Sequence, residues 1–354
     1  LISKSASVHG IIYRVNRVLV TVRAEFGEVM KLISVVLPCY NEEANVEEVY
    51  RQVCGVFYSL PDYRFELIFI DNSSQDQTVP ILRRLASQDP RVKVIVNVRN
   101  FGHIRSPYYG LLQAQGDAIV LMASDLQEPP TMIVDFVRKW EEGFKVVLGV
   151  KTQSAESPAM FAARSLFYHV ISIISDVELT KNNTGFGLYD QQVIRILREI
   201  RDPYPYFRGL ISDLGFESAK VPYFQPARKR GITKNNFYTL YDIGMLGITN
   251  HSKVPLRVAT VSGFMLSAMS FVLACLYLVA KLAFWNYFQL GQAPLLIGMF
   301  FFASIQLFFI GLLGEYIGSI HTQVLNRPLV IERERINFDS VEADRPPVTG
   351  SSVA

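Results

Sequence analysis

Three stretches of this chain carry side chains whose types and spacing suit chemistry on a phosphorylated ligand. The most specific is Ala123-Ser124-Asp125-Leu126-Gln127-Glu128-Pro129-Pro130, where a carboxylate and an amide oxygen stand two residues apart ahead of two prolines. As an extended segment it presents Asp125 and Gln127 to one hard divalent cation. Mg2+ and Mn2+ bind in that way, through few protein ligands, with phosphate oxygens and water in the remaining positions. A purely structural turn needs no acid and amide at this spacing. The other two stretches are less specific. In Pro38-Cys39-Tyr40-Asn41-Glu42-Glu43 a tyrosine ring can stack on a base while backbone and carboxylate groups hold a ribose. In Asp71-Asn72-Ser73-Ser74-Gln75-Asp76 the first acid can accept hydrogen bonds from a base or ribose. Each of these two is equally good helix-capping chemistry.

The elements that must position these residues can be read from the hydrophobic pattern. Short β-branched runs recur at 32–37, 65–71, 92–98, 118–122 and 146–150. Their near-continuous apolar character predicts parallel strands covered on both faces. Helical spacing lies between them, as over 46–60, with Asn45 as N-cap and Glu47 and Glu48 in the first turn. Alternation of this kind predicts an α/β, Rossmann-like, mostly parallel sheet, whose ligands bind beyond the carboxyl ends of the strands. All three stretches follow such ends. Residues 151–235 are less regular, broken by Pro203, Pro205, Pro222 and Pro226, and complete the same domain.

Half of the 354 residues are hydrophobic and only 19% are charged, which is too apolar for an ordinary soluble enzyme. The excess lies after Pro255. Residues 258–280 and 294–314 contain no charge, and each run matches the roughly 20 residues that cross a bilayer core of about 30 Å. Lys253 and Arg257 precede the first run, and Arg327, Arg333 and Arg335 follow the second. This bias places both outer ends, and the catalytic domain, in the cytoplasm. Residues 236–254 read as amphipathic helices on the membrane surface, or equally as ordinary packing helices. Residues 1–29 read as an appendage without visible chemistry, and 321–354 as a cytoplasmic tail with a disordered end. A net charge of +3 does not argue for nucleic acid. Three cysteines without paired spacing argue against a disulfide framework and suit a reducing compartment.

With these motifs the chain resembles the family 2 glycosyltransferases of the GT-A fold. More narrowly it resembles the polyprenyl-phosphate glycosyltransferases, the bactoprenol glucosyltransferase group related to dolichyl-phosphate mannose synthase. The resemblance spans 32–338. It includes the Asp125–Pro130 segment, the run Asn183-Thr184-Gly185-Phe186-Gly187-Leu188-Tyr189-Asp190, and Arg228-Lys229-Arg230-Gly231-Ile232-Thr233-Lys234. It also includes Gly314-Glu315-Tyr316-Ile317-Gly318 with Asn326-Arg327-Pro328. The resemblance implies that Pro38, Tyr40, Glu42, Asp71 and Ser124 line the nucleotide site and that Asp125 and Gln127 hold the metal. Ala123 stands where the family often has the first acid of Asp-x-Asp. Lys151 and Arg164 are implied ligands of the acceptor phosphate, and Arg228 and Lys234 would close over the diphosphate. Asp176 and Asp190 remain candidates for an assisting base.

The implied reaction is inverting transfer of a hexose, in the first instance glucose from UDP-glucose, to undecaprenyl or another polyisoprenyl phosphate. It would take place at the cytoplasmic face of a bacterial inner membrane, in a homo-oligomer. The alternatives are the same reaction with mannose, an N-acetylhexosamine or aminoarabinose, or a non-catalytic transporter or flippase subunit with a nucleotide-sensing domain. A processive synthase would carry Gln-x-x-Arg-Trp, but Trp140 and Trp285 stand in other contexts. A nicotinamide enzyme would carry Gly-x-Gly-x-x-Gly after the first strand, where this chain has Pro38-Cys39-Tyr40-Asn41.

Overall fold

The computed structural model describes residues 30–153, 183–226, 245–247, 249, 252–284 and 292–338. Its first half alternates strand and helix: β1 (Lys31–Cys39), α1 (Val46–Phe57), β2 (Tyr63–Asp71), α2 (Thr78–Gln88), β3 (Val92–Asn97), α3 (Gly102–Gln113), β4 (Ala118–Leu121), α4 (Met132–Glu141) and β5 (Val146–Gln153). Then come β6 (Asn183–Asp190), α5 (Gln191–Glu199), α6 (Phe207–Asp213) and β7 (Ser218–Phe224). Two long helices, α7 (Val254–Ala283) and α8 (Gln292–Leu325), precede β8 (Glu332–Ile336).

The eight strands form one sheet in the order β7-β5-β6-β4-β1-β2-β3-β8. The pairs β4/β1, β1/β2 and β2/β3 are parallel, as is β5/β7, whereas β6 runs antiparallel between β4 and β5. Side chains alternate across this sheet with the period of two that a strand imposes. Ile33, Val35, Leu37, Leu67 and Phe69 join the core beneath α1, α2 and α4. Val36, Ile68 and Ile70 join the core with Leu111 of α3 and Val193, Ile194 and Leu197 of α5. Burial on both faces is why these strands read as continuous apolar runs.

Several local features differ from the sequence expectation. Asn45 makes no side-chain cap to α1. Its amide instead donates to Glu42 Oε2 at 2.6 Å, while the Glu42 carbonyl accepts the N–H groups of Asn45 and Val46. β6 and β7 arise in the stretch that looked irregular. β7 contains Pro222, which an edge strand tolerates because its outward N–H has no partner to lose. β8 comes from the segment expected as a tail and pairs antiparallel with β3, so the sheet draws on chain from both sides of the apolar helices.

The spans Val254–Leu273 and Phe301–Leu325 are apolar and almost entirely unburied by protein. Phe264 and Phe271 are each at least 70% exposed. An apolar surface this continuous needs a lipid solvent, and the chain associates with a membrane through it. At 1.5 Å per residue α7 and α8 measure about 45 and 51 Å, longer than the roughly 30 Å hydrocarbon core, so each extends beyond it. α8 is also tied to its surroundings: Tyr316 donates to the Ser252 carbonyl at 2.8 Å and Gln323 to Asp202 at 2.9 Å.

β6 depends on a close approach at Gly187. A Cβ there would lie 2.3 Å from the Val147 carbonyl oxygen, which is backbone and cannot swing aside. Gly187→Ala is therefore expected to destabilise the sheet domain by about 1–3 kcal/mol, the usual cost of overpacking, and thermal unfolding in detergent measures it.

Candidate active site

The parallel strands bring their carboxyl ends to one edge, and the loops that leave it are tied to each other. Asn41, with φ 55°, donates its N–H to Ser74 Oγ at 2.8 Å and accepts from the Gln75 N–H at 2.8 Å. The Glu42 N–H donates to Thr78 Oγ1 at 2.9 Å, and Glu43 Oε2 accepts from the Gln77 N–H at 2.9 Å. The loop after β1 is thus held against the loop after β2. Pro38 and Tyr40 are half-buried at this edge, and Glu42 is buried. Asp71 is fully buried, and its carboxylate accepts the N–H and the hydroxyl of Ser74. Burial pushes the Asp71 carboxyl above its ordinary value, against the pull of the Ser74 donors and the Arg333 charge.

The loop after β4 is a tight turn rather than the extended segment its sequence suggested. Leu126 takes φ 59°, and Asp125 Oδ1 accepts the Gln127 N–H at 3.1 Å. A short acid side chain bonding two residues ahead makes this turn locally, so chain direction reverses where a strand was expected to run on. Asp125 and Gln127 remain half-exposed. Ser124 is 2% exposed, and its hydroxyl finds no hydrogen-bond partner among the described residues.

Glu128 holds this turn to β6. Its Oε2 accepts the Ala123 N–H at 2.7 Å and its Oε1 the Thr184 hydroxyl at 2.9 Å. Burial lifts its carboxyl to about 7, opposed by those two donors and reinforced by the Asp125 charge. Because β6 is antiparallel, its start, Asn183–Thr184, lies at the carboxyl edge beside the end of β4, opposite Val150. Lys151, next along β5, is at the same edge and half-buried. Arg208 donates to the Asn183 carbonyl at 3.1 Å and steadies that corner.

The same antiparallel direction removes Asp190 from the site. It pairs with Ala118, the first residue of β4, at the opposite edge of the sheet. There it accepts from Trp140 Nε1, Lys145 Nζ and the Gln192 N–H, each within 2.9 Å, and caps α5. It has a structural role and is not an assisting base. Arg164, Asp176, Arg228 and Lys234 lie outside the described residues.

A sequence profile for "Glycosyl transferase family 2" matches residues 34–195, from β1 into α5. The SfII prophage-derived bactoprenol glucosyl transferase of Shigella flexneri is 33% identical over 300 residues, covering 84% of this chain and 96% of that one. The uncharacterized glycosyltransferase YkcC of Bacillus subtilis is 33% identical over 308 residues, covering 87% and 95%. The chain is a family 2 glycosyltransferase. Among solved structures, the mannosyltransferase PcManGT of Pyrobaculum calidifontis, in complex with GDP-Man and Mn2+, aligns with 15% identity and a TM-score of 0.42, covering 85% and 89%. A likeness that loose carries no argument.

Whether this glycosyltransferase suits a divalent cation is decided by its own donors. Among the described residues no group of three or more His, Cys, Asp or Glu is placed to hold a metal ion. Asp125 offers one carboxylate and Gln127 one amide oxygen, both hard and on one turn. Glu128 is engaged on both oxygens by Ala123 and Thr184, which holds the turn rather than offering a further ligand to the cation. That set fits Mg2+ or Mn2+ whose remaining positions go to diphosphate and water. The residues missed from sequence as individuals are Glu128, Thr184 and Arg208. Glu128 and Thr184 stood inside quoted motifs, but nothing local signalled that 56 residues of chain separate two hydrogen-bonded partners.

Glu128 makes stability depend on pH in a stated direction. Its folded-state value, about 7, lies above its ordinary 4.5, so the stability associated with its protonated form is complete below about pH 4.5 and lost as pH rises through about 7. Glu128→Gln keeps both hydrogen bonds without ionising: its oxygen accepts from Ala123 and its amide donates to Thr184. Thermal melts from about pH 5 to pH 8 are expected to show a smaller fall in Tm for this variant than for the wild type.

Proposed function

We propose that this glycosyltransferase transfers glucose from UDP-glucose to a polyisoprenyl phosphate at the cytoplasmic face of the membrane, with inversion at the anomeric carbon. The observation that carries the reading is the carboxyl edge of the sheet. A one-carboxylate, one-amide turn suited to a metal-bound diphosphate and a lysine suited to a second phosphate share that edge, on a domain with two apolar helices. The Shigella relative's name supports the choice of lipid and sugar. The arginines that follow α8, with Lys253 and Arg257 at the start of α7, support the cytoplasmic orientation.

In this reaction an acceptor phosphate oxygen forms a bond to the anomeric carbon as the bond from that carbon to the diphosphate oxygen breaks. The leaving oxygen keeps the electron pair, and the acceptor monoester becomes a diester. A phosphate monoester has its second pKa near about 6, so the acceptor is largely a dianion at neutrality and needs little help from a base. The difficulty is bringing two anions together. Lys151, with Arg164, would hold the acceptor phosphate, and Asp71, Tyr40, Glu42, Pro38 and Ser124 would hold the nucleoside. A cation on Asp125 and Gln127 would supply positive charge to the leaving diphosphate. Arg228 and Lys234 would cover that diphosphate. Catalysis then rests on position and fixed charge rather than on proton transfer.

The test is transfer of radiolabelled sugar from UDP-glucose to undecaprenyl phosphate with Mg2+ or Mn2+. Asp125→Ala is expected to lower turnover by about 100-fold or more, the scale of losing one focused electrostatic contact. Labelled lipid from another nucleotide sugar alone would correct the donor. No lipid product from any donor would overturn the reading.

A further inference from the structure

The family profile ends at residue 195, within α5, yet the sheet gains its last strand from beyond both apolar helices. Only residues 326–331 separate Leu325, the end of α8, from Glu332, the start of β8. Fully extended, six residues reach at most about 21 Å. This link is itself pinned to the domain. Arg105 donates its guanidinium to the Pro328 carbonyl, and the Val98 N–H donates to the Ile331 carbonyl at 3.0 Å.

β8 is then fastened to three elements. It pairs with β3 from Val94↔Ile336 to Asn97↔Glu332. Arg83 of α2 donates from Nε to both oxygens of Glu334, at 3.1 and 3.2 Å. Asn337, with φ 60°, donates its amide to the carbonyls of Ala86 and Val92 at 2.7 and 2.9 Å. On the other face Tyr109 of α3 donates to Glu332 at 2.8 Å, and Arg335 to Gln113 at 2.7 Å. Covering a bare sheet edge needs only the ladder. The side-chain ties to α2 and α3, together with the short pinned link, do something more: they fix the sheet relative to the membrane helix.

We propose that β8 is a strap that sets how the catalytic sheet sits over the bilayer, with Arg83, Glu334 and Asn337 as positioning residues for transfer to a membrane-borne acceptor. The proposal rests on the reading that the acceptor is a lipid phosphate. A domain joined to its anchor by one connection can pivot about it. A second, short connection on the far side of the sheet removes that freedom. The acceptor phosphate moves only in the plane of the membrane, so tilt of the domain carries the donor's anomeric carbon out of its reach. Small misplacements of that kind are expensive in rate.

The test compares wild type with Glu334→Pro, which breaks the ladder, and with the charge-swapped pair Arg83→Glu and Glu334→Arg, singly and together. Three activities are read in proteoliposomes: transfer to long-chain polyprenyl phosphate, transfer to a short water-soluble prenyl phosphate, and hydrolysis of the nucleotide sugar by water. Glu334→Pro is expected to raise KM for the long-chain acceptor about tenfold, as effective concentration falls, and to change the other two activities by much less. Each single charge swap gives a smaller rise, which the double swap reverses.

A second measurement reads orientation whatever the acceptor. Nitroxides are placed at Asp135 on α4 and Val324 on α8, with Cys39, Cys54 and Cys275 replaced by alanine. The inter-label distance distribution by electron–electron resonance is expected to broaden with Glu334→Pro. Equal losses in all three activities, or an unbroadened distribution, overturn the strap. Failure of the wild type to use either prenyl phosphate would instead overturn the proposed function, with the distance measurement still deciding the strap.

Discussion

Insertion of β6, antiparallel, between β4 and β5 is the constraint on which the rest of this structure depends. It requires Gly187 to pass against the Val147 carbonyl and Gly149 against the Phe186 ring, where an added Cβ would lie 2.7 Å from the ring. Phe186 in turn packs edge-on against Phe136 of α4 and Tyr223 of β7. Through this packing β5, β6 and β7 become one body with the parallel half. The direction of β6 then sorts its polar ends. Thr184 is delivered to the site edge, where it meets Glu128, and Asp190 to the opposite edge, where it ties Trp140, Lys145 and the start of α5 together.

Buried acids around the site divide by what compensates them. Asp71 and Glu128 are both pushed upward by desolvation, and both are opposed by donors from their own or neighbouring loops. Burying a carboxylate without such donors would cost far more than the domain's margin of stability. The donors shape the loops as a consequence. Ser74 folds back onto Asp71, and Ala123 is drawn to Glu128, which closes the turn that carries Asp125 and Gln127. The proposed metal-binding turn is therefore supported from beneath by a buried acid, and its own acid stays half-exposed at the edge.

The membrane helices and the sheet are one mechanical system. Tyr316 and Gln323 tie α8 to Ser252 and Asp202, and β8 returns from α8 to close the open edge of β3. Asp71, Val96 and Glu334 lie in one row across three strands. The chain that has just left the membrane helix therefore ends beside the proposed nucleotide site, and the Arg333 charge is felt by Asp71.

What the amino-acid sequence determined by itself was the local and the periodic. Five strands were legible because parallel strands buried on both faces must be apolar at nearly every position. The two apolar helices were legible because soluble packing rarely spares 20 residues a polar stripe. The family was legible because its motifs are contiguous. Tertiary structure decided whatever depends on strand direction and distant partners. β6 is glycine-rich and β7 holds a proline, so neither shows the usual strand pattern, and only their neighbours make them strands. Leu126 turns the chain because Asp125 bonds two residues ahead, a choice that side-chain type permits but does not compel. Asp190 and Thr184 sit in one motif of eight residues, yet an antiparallel strand sends them to opposite edges of the sheet. β8 reads as a charged tail because its partner, the edge of β3, is more than 200 residues away in the chain, and pairing over that distance leaves no trace in local composition.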